Sequence, residues 1–356
     1  MMHKWILWLY FILSALFLSE TEDNIVDVNI REHVKLEENL QLLTRVDRAA
    51  FFNDSLFGIS SSADGLLYLY KNGRQISQIG SNGKGPNEYE TPQALHIYRD
   101  LFYAWDQGNL KFIVFNENAE PVDEFAGFGR QVKDFCVTDD FIAIYQSNGV
   151  IQIHNKKDNS VIYKSDEPDI DDSVLLFMDS NGRIACNYDS VIYGYPSKLE
   201  MYKYHISENK VETTKIEDEK FRVSSTGWNS VAEVNRNIEK VNEYLFSNSS
   251  FIGFYSLDDY VIGVADIGKF DPADLAPSFN LNYSFSEKDK RRKHFYVFDN
   301  KLNYLDRIVF KPDVHERIGN QILGAYGNSV YFLKEDVDSR ESSVIRTLYE
   351  VEFVEN

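Results

Sequence analysis

The sequence predicts an all-β protein that folds as a six-bladed β-propeller, and three observations lead to this prediction. Alternating strands joined by tight polar turns recur along the chain, and Asn72-Gly73 in the first turn is a strong hairpin signal. Two further apolar strands precede each hairpin, so that a four-stranded unit repeats about every 40 to 50 residues. The last unit lacks a fourth strand, which an isolated strand near the start of the chain can supply. A pair of β-sandwiches is the competing architecture.

The first residues form a leader that is separate from the propeller. Lys4 precedes an apolar run over 5–18, which has the pattern of a secretory signal peptide and is shorter than the roughly 20 residues that span a bilayer. Phe17 stands where cleavage favours a small residue, so an uncleaved membrane tether is the alternative. We expect residues 1–19 to direct export to the periplasm or cell envelope, residues 24–356 to form one propeller domain, and the mature chain to have no transmembrane span.

Five complete hairpins define the first five blades. Their strand pairs lie at 66–70 and 75–79, 111–115 and 122–125, 150–154 and 160–164, 201–206 and 211–216, and 295–299 and 304–310. The sixth unit contains strands at 321–325, 330–334 and 346–353. Residues 25–30 alternate apolar and polar side chains, and pairing them with the last strand would complete the sixth blade. Such closure removes the exposed sheet edges of an open array.

One stretch departs from the strand pattern. Val231, Val234, Ile238, Val241 and Leu245 recur at spacings of three and four, which is helical periodicity. We expect a short helical insertion between blades four and five that lies on the propeller and covers apolar surface. A lid or a partner-binding helix is the alternative.

Composition argues against some partners. The net charge of −19 argues against nucleic acid and anionic lipid surfaces, since both require a positively charged protein surface. The sequence has no Cys/His cluster with zinc-binding spacing. Cys136 and Cys186 fall in neighbouring repeats, and we expect two buried free thiols, with a disulfide as the alternative that export would permit.

A glycine-rich loop follows the first hairpin. Its three glycines allow backbone angles that other residues resist, and the proline stiffens its exit, so we expect an inter-blade structural role. Its N–H groups could also face an anion, although neither the Lys-Ser/Thr pair nor the helix of a phosphate-binding loop follows. The motif residues are Gly80, Gly83, Gly85, Pro86, Glu88 and Tyr89.

This loop resembles the G-x-x-G-x-G-P-x-E-[YF] motif of bacterial exported six-bladed propellers of the NHL/TolB-like type. Asn87 stands where those proteins usually have glycine, and the stretches 303–310 and 318–324 are similar in style to the same group. The resemblance implies an exported propeller. The lipidated cysteine common in that group has no counterpart after the leader, which puts lipid anchoring in doubt.

Long loops concentrate on one face of the predicted propeller. With the strands of each blade labelled a to d, the b–c and d–a loops leave one face, and the a–b and c–d turns leave the other. The glycine-rich loop, the acidic run 166–172 and the helical insertion are d–a loops, whereas 189–199 and 267–292 are b–c loops. Since long loops in compact arrays usually carry function, we predict that the b–c/d–a face, around the channel mouth, binds the ligand.

Charged and aromatic residues on that face are the candidate binding residues. The acidic run could hold Ca²⁺ through clustered carboxylates, although we favour a solvated acidic turn. The basic run 288–293 could meet an acidic partner or a sugar, with a solvated charged loop as the favoured alternative, and the aromatic side chains could stack on a glycan or peptide. The candidates are Asp166, Asp169, Asp171, Asp172, Tyr193, Tyr195, Trp228, Arg291 and Arg292.

No catalytic motif identifies a reaction. The sequence has neither G-x-S-x-G nor H-E-x-x-H, so no catalytic residue is assigned. We expect an exported, non-enzymatic binding module for an unknown protein, peptide or glycan, with no cofactor other than the calcium that the acidic run could hold. The alternative is a metal-dependent hydrolase or lactonase with carboxylates at the central channel. Three or more oxygen ligands converging in the channel would favour that enzyme.

Overall fold

A computed structural model gives the fold of most of the chain. It describes residues 25–37, 45–61, 63–129, 132–178, 183–187, 189–225, 227–236, 244, 247–268, 292–338 and 343–356. Six four-stranded antiparallel sheets and one two-stranded parallel sheet account for the strands of these residues. The predicted signal peptide at 1–19 lies outside the described residues.

The first three blades follow one another along the chain. Strand β1 (Val26–Lys35) comes first but belongs to the last blade. Blade one contains β2 (Arg48–Phe51), β3 (Leu56–Ser61), β4 (Leu66–Lys71) and β5 (Arg74–Gln78). The glycine-rich loop contains the parallel pair β6 (Ser81–Asn82) and β7 (Glu88–Tyr89). Blade two contains β8 (Pro92–Tyr98), β9 (Leu101–Asp106), β10 (Lys111–Phe115) and β11 (Pro121–Ala126). Blade three contains β12 (Val132–Val137), β13 (Phe141–Gln146), β14 (Ile151–Asn155) and β15 (Val161–Lys164).

The remaining blades alternate with short helices. Helix α1 (Ile170–Met178) precedes blade four, which contains β16 (Ala185–Asn187), β17 (Ser190–Tyr193), β18 (Glu200–His205) and β19 (Lys210–Lys215). A 3-10 helix (Val231–Arg236) precedes blade five, which contains β20 (Ser250–Ser256), β21 (Tyr260–Ile267), β22 (Arg292–Asp299) and β23 (Tyr304–Val309). Helix α2 (Pro312–Ile318) precedes blade six, which contains β24 (Gln321–Tyr326), β25 (Ser329–Asp338), β26 (Ser343–Glu355) and β1.

The six sheets form a closed ring, which confirms the predicted six-bladed propeller. Successive a-strands contact one another around the ring, and β24 contacts β2. Six apolar clusters lie between neighbouring blades, and each cluster joins one pair of blades. The outermost strands β11 and β19 are almost entirely exposed, because the fourth strand has no blade outside it.

The N-terminal strand completes blade six, as the alternation of residues 25–30 predicted. β1 runs antiparallel to β26 from the pair Val26 and Glu355 to the pair Lys35 and Thr347. The Arg31 guanidinium donates two hydrogen bonds to the Glu350 carboxylate, at 2.8 and 2.9 Å. Ser329 Oγ donates to the same carboxylate at 2.8 Å, so Glu350 joins three of the four strands of this blade. A buried, fully bonded carboxylate of this kind strengthens the closure of the ring.

We expect the closure to weaken in acid. Burial by itself raises the pKa of Glu350, but hydrogen bonds from His33, Arg31 and Ser329 outweigh burial and lower the pKa to about 2 from an ordinary 4.5. A carboxyl group with a lowered folded-state pKa stabilises the fold above its unfolded pKa, and this contribution is lost as the pH falls from about 4.5 towards 2. In urea unfolding, Glu350→Gln should lower the free energy of unfolding by about 2 kcal/mol at neutral pH and by almost nothing near pH 2. If Glu350→Gln lowered the free energy of unfolding by the same amount at both pH values, this account would be contradicted.

The cysteines form a disulfide, so the expectation of two free thiols is wrong. Cys136 on β12 and Cys186 on β16 are bonded, with their Cα atoms 5.7 Å apart. These two strands are the a-strands of blades three and four, which lie side by side in the ring. The bond therefore joins adjacent blades at the wall of the channel, and such bonds are typical of oxidising compartments.

The structure contains more helix than the sequence predicted. The predicted insertion between blades four and five contains the 3-10 helix Val231–Arg236, whereas 237–243 and 245–246 lie outside the described residues. The acidic run was predicted as a loop, but its last residues begin α1, which contacts the 3-10 helix. Helix α2 was not predicted, although Pro312 at its start and Gly319 at its end, with φ 80°, are typical helix boundaries. Among the described residues, no helix has the length and apolar composition that a bilayer span requires.

Candidate functional site

A cavity of about 430 Å³ occupies the central channel, and residues from all six a-strands or their flanking loops line it. We call it the channel cavity. It reaches the a–b turns of blades two, five and six, where its lining includes Arg99, Asp100, Ser256, Asp258 and Tyr326. The b–c/d–a face, which the sequence predicted as the binding face, lies at the other end of the ring. The volume falls within the roughly 300 to 1,000 Å³ of small-molecule sites.

An aspartate and an arginine lie close to each other at the deep end of the channel cavity. Asp134 on β12 and Arg183, which precedes β16, lie with Oδ2 and Nη1 4.0 Å apart. Their side chains are 6% and 11% exposed. The Ile184 N–H also donates to Asp134 Oδ2 at 3.3 Å. Asp134 is thus bonded to the backbone of Ile184, the residue after Arg183, so the carboxylate and the guanidinium are positioned by the same segment.

A close backbone approach fixes Arg183. Its backbone forms an isolated parallel bridge with Gly253 of β20. Gly253 has a φ of 131°, and a Cβ there would lie 2.5 Å from Arg183 Cβ, so only glycine fits this approach. The guanidinium lies over the ring of Tyr255, 5.1 Å from its centroid, and Nη2 donates to Ile322 O at 3.4 Å. Stacking on an aromatic face orients the planar guanidinium.

Burial shapes the electrostatics of this end. Burial raises the pKa of Asp134 to about 6, although the positive charge of Arg48 and two backbone N–H groups act in the opposite direction. Arg48 lies on β2 of blade one, across the ring from Arg183, and its Nη1 atom is buried with no hydrogen-bond partner in the described part of the chain. Burial also lowers the pKa of His96, which lines the cavity, to about 4. At neutral pH, the positive charges of Arg183 and Arg48 therefore act on the Asp134 carboxylate, while the imidazole of His96 is neutral.

The glycine-rich loop is bonded into the junction of blades one and two. Tyr89 is fully buried, and its hydroxyl donates to Ile79 O at 2.7 Å. The Glu88 carboxylate accepts from the Gly85 N–H at 2.7 Å, and Gly80 and Asn87 have φ values of 63° and 59°. The loop's acid and tyrosine thus bond to its own backbone, and the inter-blade structural role of the motif stays a prediction.

The acidic run is engaged by a lysine and a helix start. Asp169 caps α1, because its Oδ1 accepts from the Asp172 N–H at 2.9 Å. Lys198 Nζ lies 2.8 Å from Asp169 Oδ2 and 3.4 Å from Asp172 Oδ2. Burial raises the pKa of Asp172 to about 6 despite a hydrogen bond from Ser197. Asp166 is exposed and Asp171 half-buried, and calcium binding at this run stays a prediction.

The aromatic candidates are more buried than the exposed rings of a ligand-stacking surface would be. Tyr193 and Tyr195 are 2% and 8% exposed, and both contact the ring of Tyr202. Trp228 is half-buried, with its ring 6.0 Å from that of Tyr244. The structure thus places the two tyrosines in the apolar cluster between blades three and four, while Trp228 is half-buried in the d–a segment that precedes blade five.

The basic candidates are only partly described. Arg291 lies outside the described residues, and Arg292 is the exposed first residue of β22. Lys293, next to it, forms a buried ion pair with Asp266 at 2.6 Å. Neither Arg292 nor Lys293 lines the channel cavity, and neither pairs with the acidic run among the described residues.

Sequence reasoning did not single out the residues of the channel cavity. Within the described residues, no group of three or more His, Cys, Asp or Glu side chains could hold a metal ion. Asp134, Arg183 and His96 of its lining were not predicted, nor was Arg48, whose charge acts on Asp134. A charged residue inside the apolar run of an a-strand, such as Asp134 in Val132–Val137, is the signal that could have identified one of them.

Comparisons with known proteins agree with the fold. Known protein families and curated proteins give no match to the sequence. A proposed exported protein from Bacteroides fragilis NCTC 9343 is similar in structure, with a TM-score of 0.60 and 13% identity over 92% of this chain and 96% of that one. A member of the DUF4221 family from Bacteroides vulgatus ATCC 8482 gives a TM-score of 0.63 and 8% identity over 94% of this chain and 99% of that one. At such identities the likeness shows the fold alone.

Proposed function

We propose that this chain is an exported binding protein and a propeller of the NHL/TolB-like type. Its ligand is a peptide, a glycan or another molecule, and one portion of that ligand enters the channel cavity. The observation that carries the proposal is the cavity itself, which has the volume of a ligand site and a few polar groups at its deep end. Export is supported by the leader pattern, the disulfide and the solved neighbour that is described as a proposed exported protein.

The chemistry at the deep end favours binding over metal-dependent hydrolysis. A hydrolytic metal requires several anionic or neutral oxygen ligands around one point. The channel acid Asp134 instead lies beside Arg183 and within the field of Arg48. Two fixed positive charges repel a divalent cation, whereas they attract the acceptor groups of an organic ligand.

Filling the channel cavity should abolish binding. Ala325 lines the wall and Ser256 the exposed rim, so Ala325→Trp and Ser256→Trp each place an indole in the path of a ligand. We expect each variant to reduce the ligand captured from a cell-envelope extract at least about tenfold, as measured by mass spectrometry of the retained material. Val122→Trp is the matched control, because Val122 is 51% exposed on the outermost strand β11 and should leave capture unchanged.

The same assay separates the two faces. Trp228→Ala alters the b–c/d–a face and should retain capture at the level of the unmodified chain. Loss of capture in Trp228→Ala together with retention in Ser256→Trp and Ala325→Trp would overturn the proposal in favour of the b–c/d–a face. Circular dichroism of each variant verifies that the fold is intact.

A further inference from the structure

We propose that the deep end of the channel cavity recognises the carboxylate of a small organic acid through the guanidinium of Arg183. The inference rests on the proposed function, because it names the ligand chemistry of the same cavity. It is carried by the placement of Arg183, by the excess of positive charge around it and by the dimensions of the cavity.

Arg183 is oriented but weakly bonded. The face of its guanidinium is fixed by Tyr255, while its in-plane donors make one hydrogen bond to the described residues, a long one of 3.4 Å to Ile322 O. Its distance of 4.0 Å to Asp134 is beyond hydrogen-bond range. An arginine has five N–H donors in a planar fork that matches a carboxylate in bidentate fashion. The side chain lines the cavity, so these donors can reach a ligand.

A second cation adds to the attraction. Arg48 Nη1 is buried without a hydrogen-bond partner in the part of the chain that the structure describes, and a buried donor left unbonded is unfavourable. The positive charge of Arg48 interacts electrostatically with Asp134 and with Tyr255, so it adds to the positive potential at the deep end of the cavity. The whole protein carries a net charge of −19, so this locally positive site is where an anion would be retained.

The cavity suits a small acid or the acidic end of a longer ligand. Its volume of about 430 Å³ accommodates a small molecule, and it extends to the a–b turns, where a longer chain could leave. A peptide C-terminus and a sugar acid both present a carboxylate of this kind. The experiment below distinguishes these two sources.

The site also predicts a pH response. Arg48 of β2 acts on Asp134 through its charge, and Arg183 lies 4.0 Å from it in the segment before β16. Tyr255 of β20 lies within the field of Asp134, Arg48 and Asp266, and His96 of β8 lines the same cavity. The pKa of Asp134 is near 6 and that of His96 near 4, while burial holds the pKa of Tyr255 well above its usual range. Asp134 is thus the member of this group that titrates between about pH 5 and pH 8. Protonation removes a negative charge that opposes a ligand carboxylate, so affinity should rise as the pH falls.

The test measures binding of N-acetylalanine and of glucuronate by isothermal titration, with N-acetylalanine amide and glucose as neutral counterparts. We expect at least one acid to bind with a Kd below about 20 mM and at least about tenfold more tightly than its neutral counterpart. Whichever acid binds identifies the source of the carboxylate. Arg183→Met should weaken that binding at least about tenfold, and Arg183→Lys, which keeps the charge but loses the fork, by less. Lys164→Met, on the exposed outer strand β15, is the control for loss of one charge.

The pH response distinguishes recognition from a structural role. We expect binding to tighten about tenfold between about pH 8 and pH 5, and Asp134→Asn to bind at both pH values without this change. Equal binding of acid and neutral probes, no binding of either acid, or unchanged binding in Arg183→Met would overturn the inference. Those results leave the proposed function standing if Ser256→Trp still abolishes capture, so the two failures are distinguishable.

Discussion

The double variant Cys136→Ala/Cys186→Ala, which lacks the disulfide, is expected to lose about 4 kcal/mol of unfolding free energy. The bonded residues are 50 positions apart, and opening a loop of this length in the unfolded chain restores conformational entropy of about that size. Urea unfolding of the oxidised chain and of the double variant measures the difference. Because the bond joins β12 to β16, which hold Asp134 and the Arg183 segment together, the variant should also bind the acid probe more weakly.

A reduced sample of the unmodified chain is the control. It should lose nearly the same stability as the double variant, since both lack the cross-link, while the alanine side chains add only a small cavity effect. Equal stability of the oxidised and reduced chain would show that the bond does not constrain the unfolded state.

The second large effect is expected at Asp218, which joins blade four to blade five. The carboxylate is fully buried, and its Oδ2 atom accepts from the Tyr296 hydroxyl at 2.9 Å and pairs with His294 Nδ1 at 2.5 Å. Arg307 Nη1 lies 3.1 Å from the other oxygen, and the Lys220 N–H donates to that oxygen at 2.9 Å. Asp218→Ala leaves these donors without their acceptor, so it should lower the free energy of unfolding by about 3 to 5 kcal/mol.

An exposed aspartate provides the comparison. Asp140 is 81% exposed and 4.0 Å from Lys157, so Asp140→Ala should change stability by less than about 1 kcal/mol. Equal, small losses in both variants would show that the Asp218 network does not hold the two blades together.

Much of the fold could be predicted because strand alternation is a local signal. Residues 25–30 predicted the strand observed as Val26–Lys35, and its partner followed from the missing strand of the last unit. The disulfide could not be predicted in the same way, since the distance between Cys136 and Cys186 depends on the register of two a-strands from different blades. Helix α1 was missed because the acidic residues that begin it, with Asp169 as its cap, also fit a solvated turn.

The candidate site was less accessible to sequence reasoning. Arg48, Asp134 and Arg183 are 49 to 135 positions apart in the chain, and only closure of the ring brings their charges together. The long loops, which are visible in the sequence, directed the prediction to the b–c/d–a face. The cavity is formed instead by the turns of the a-strands and by small side chains on them, such as that of Ala325. These small side chains follow no recognisable pattern in the sequence.

The most direct test of a ligand site in the channel is a crystal structure of the protein with the acid probe that binds. We predict that the probe lies in the channel cavity, with its carboxylate about 2.7 to 3.2 Å from the Arg183 guanidinium. A probe bound on the b–c/d–a face, with only solvent beside Arg183, would contradict the account.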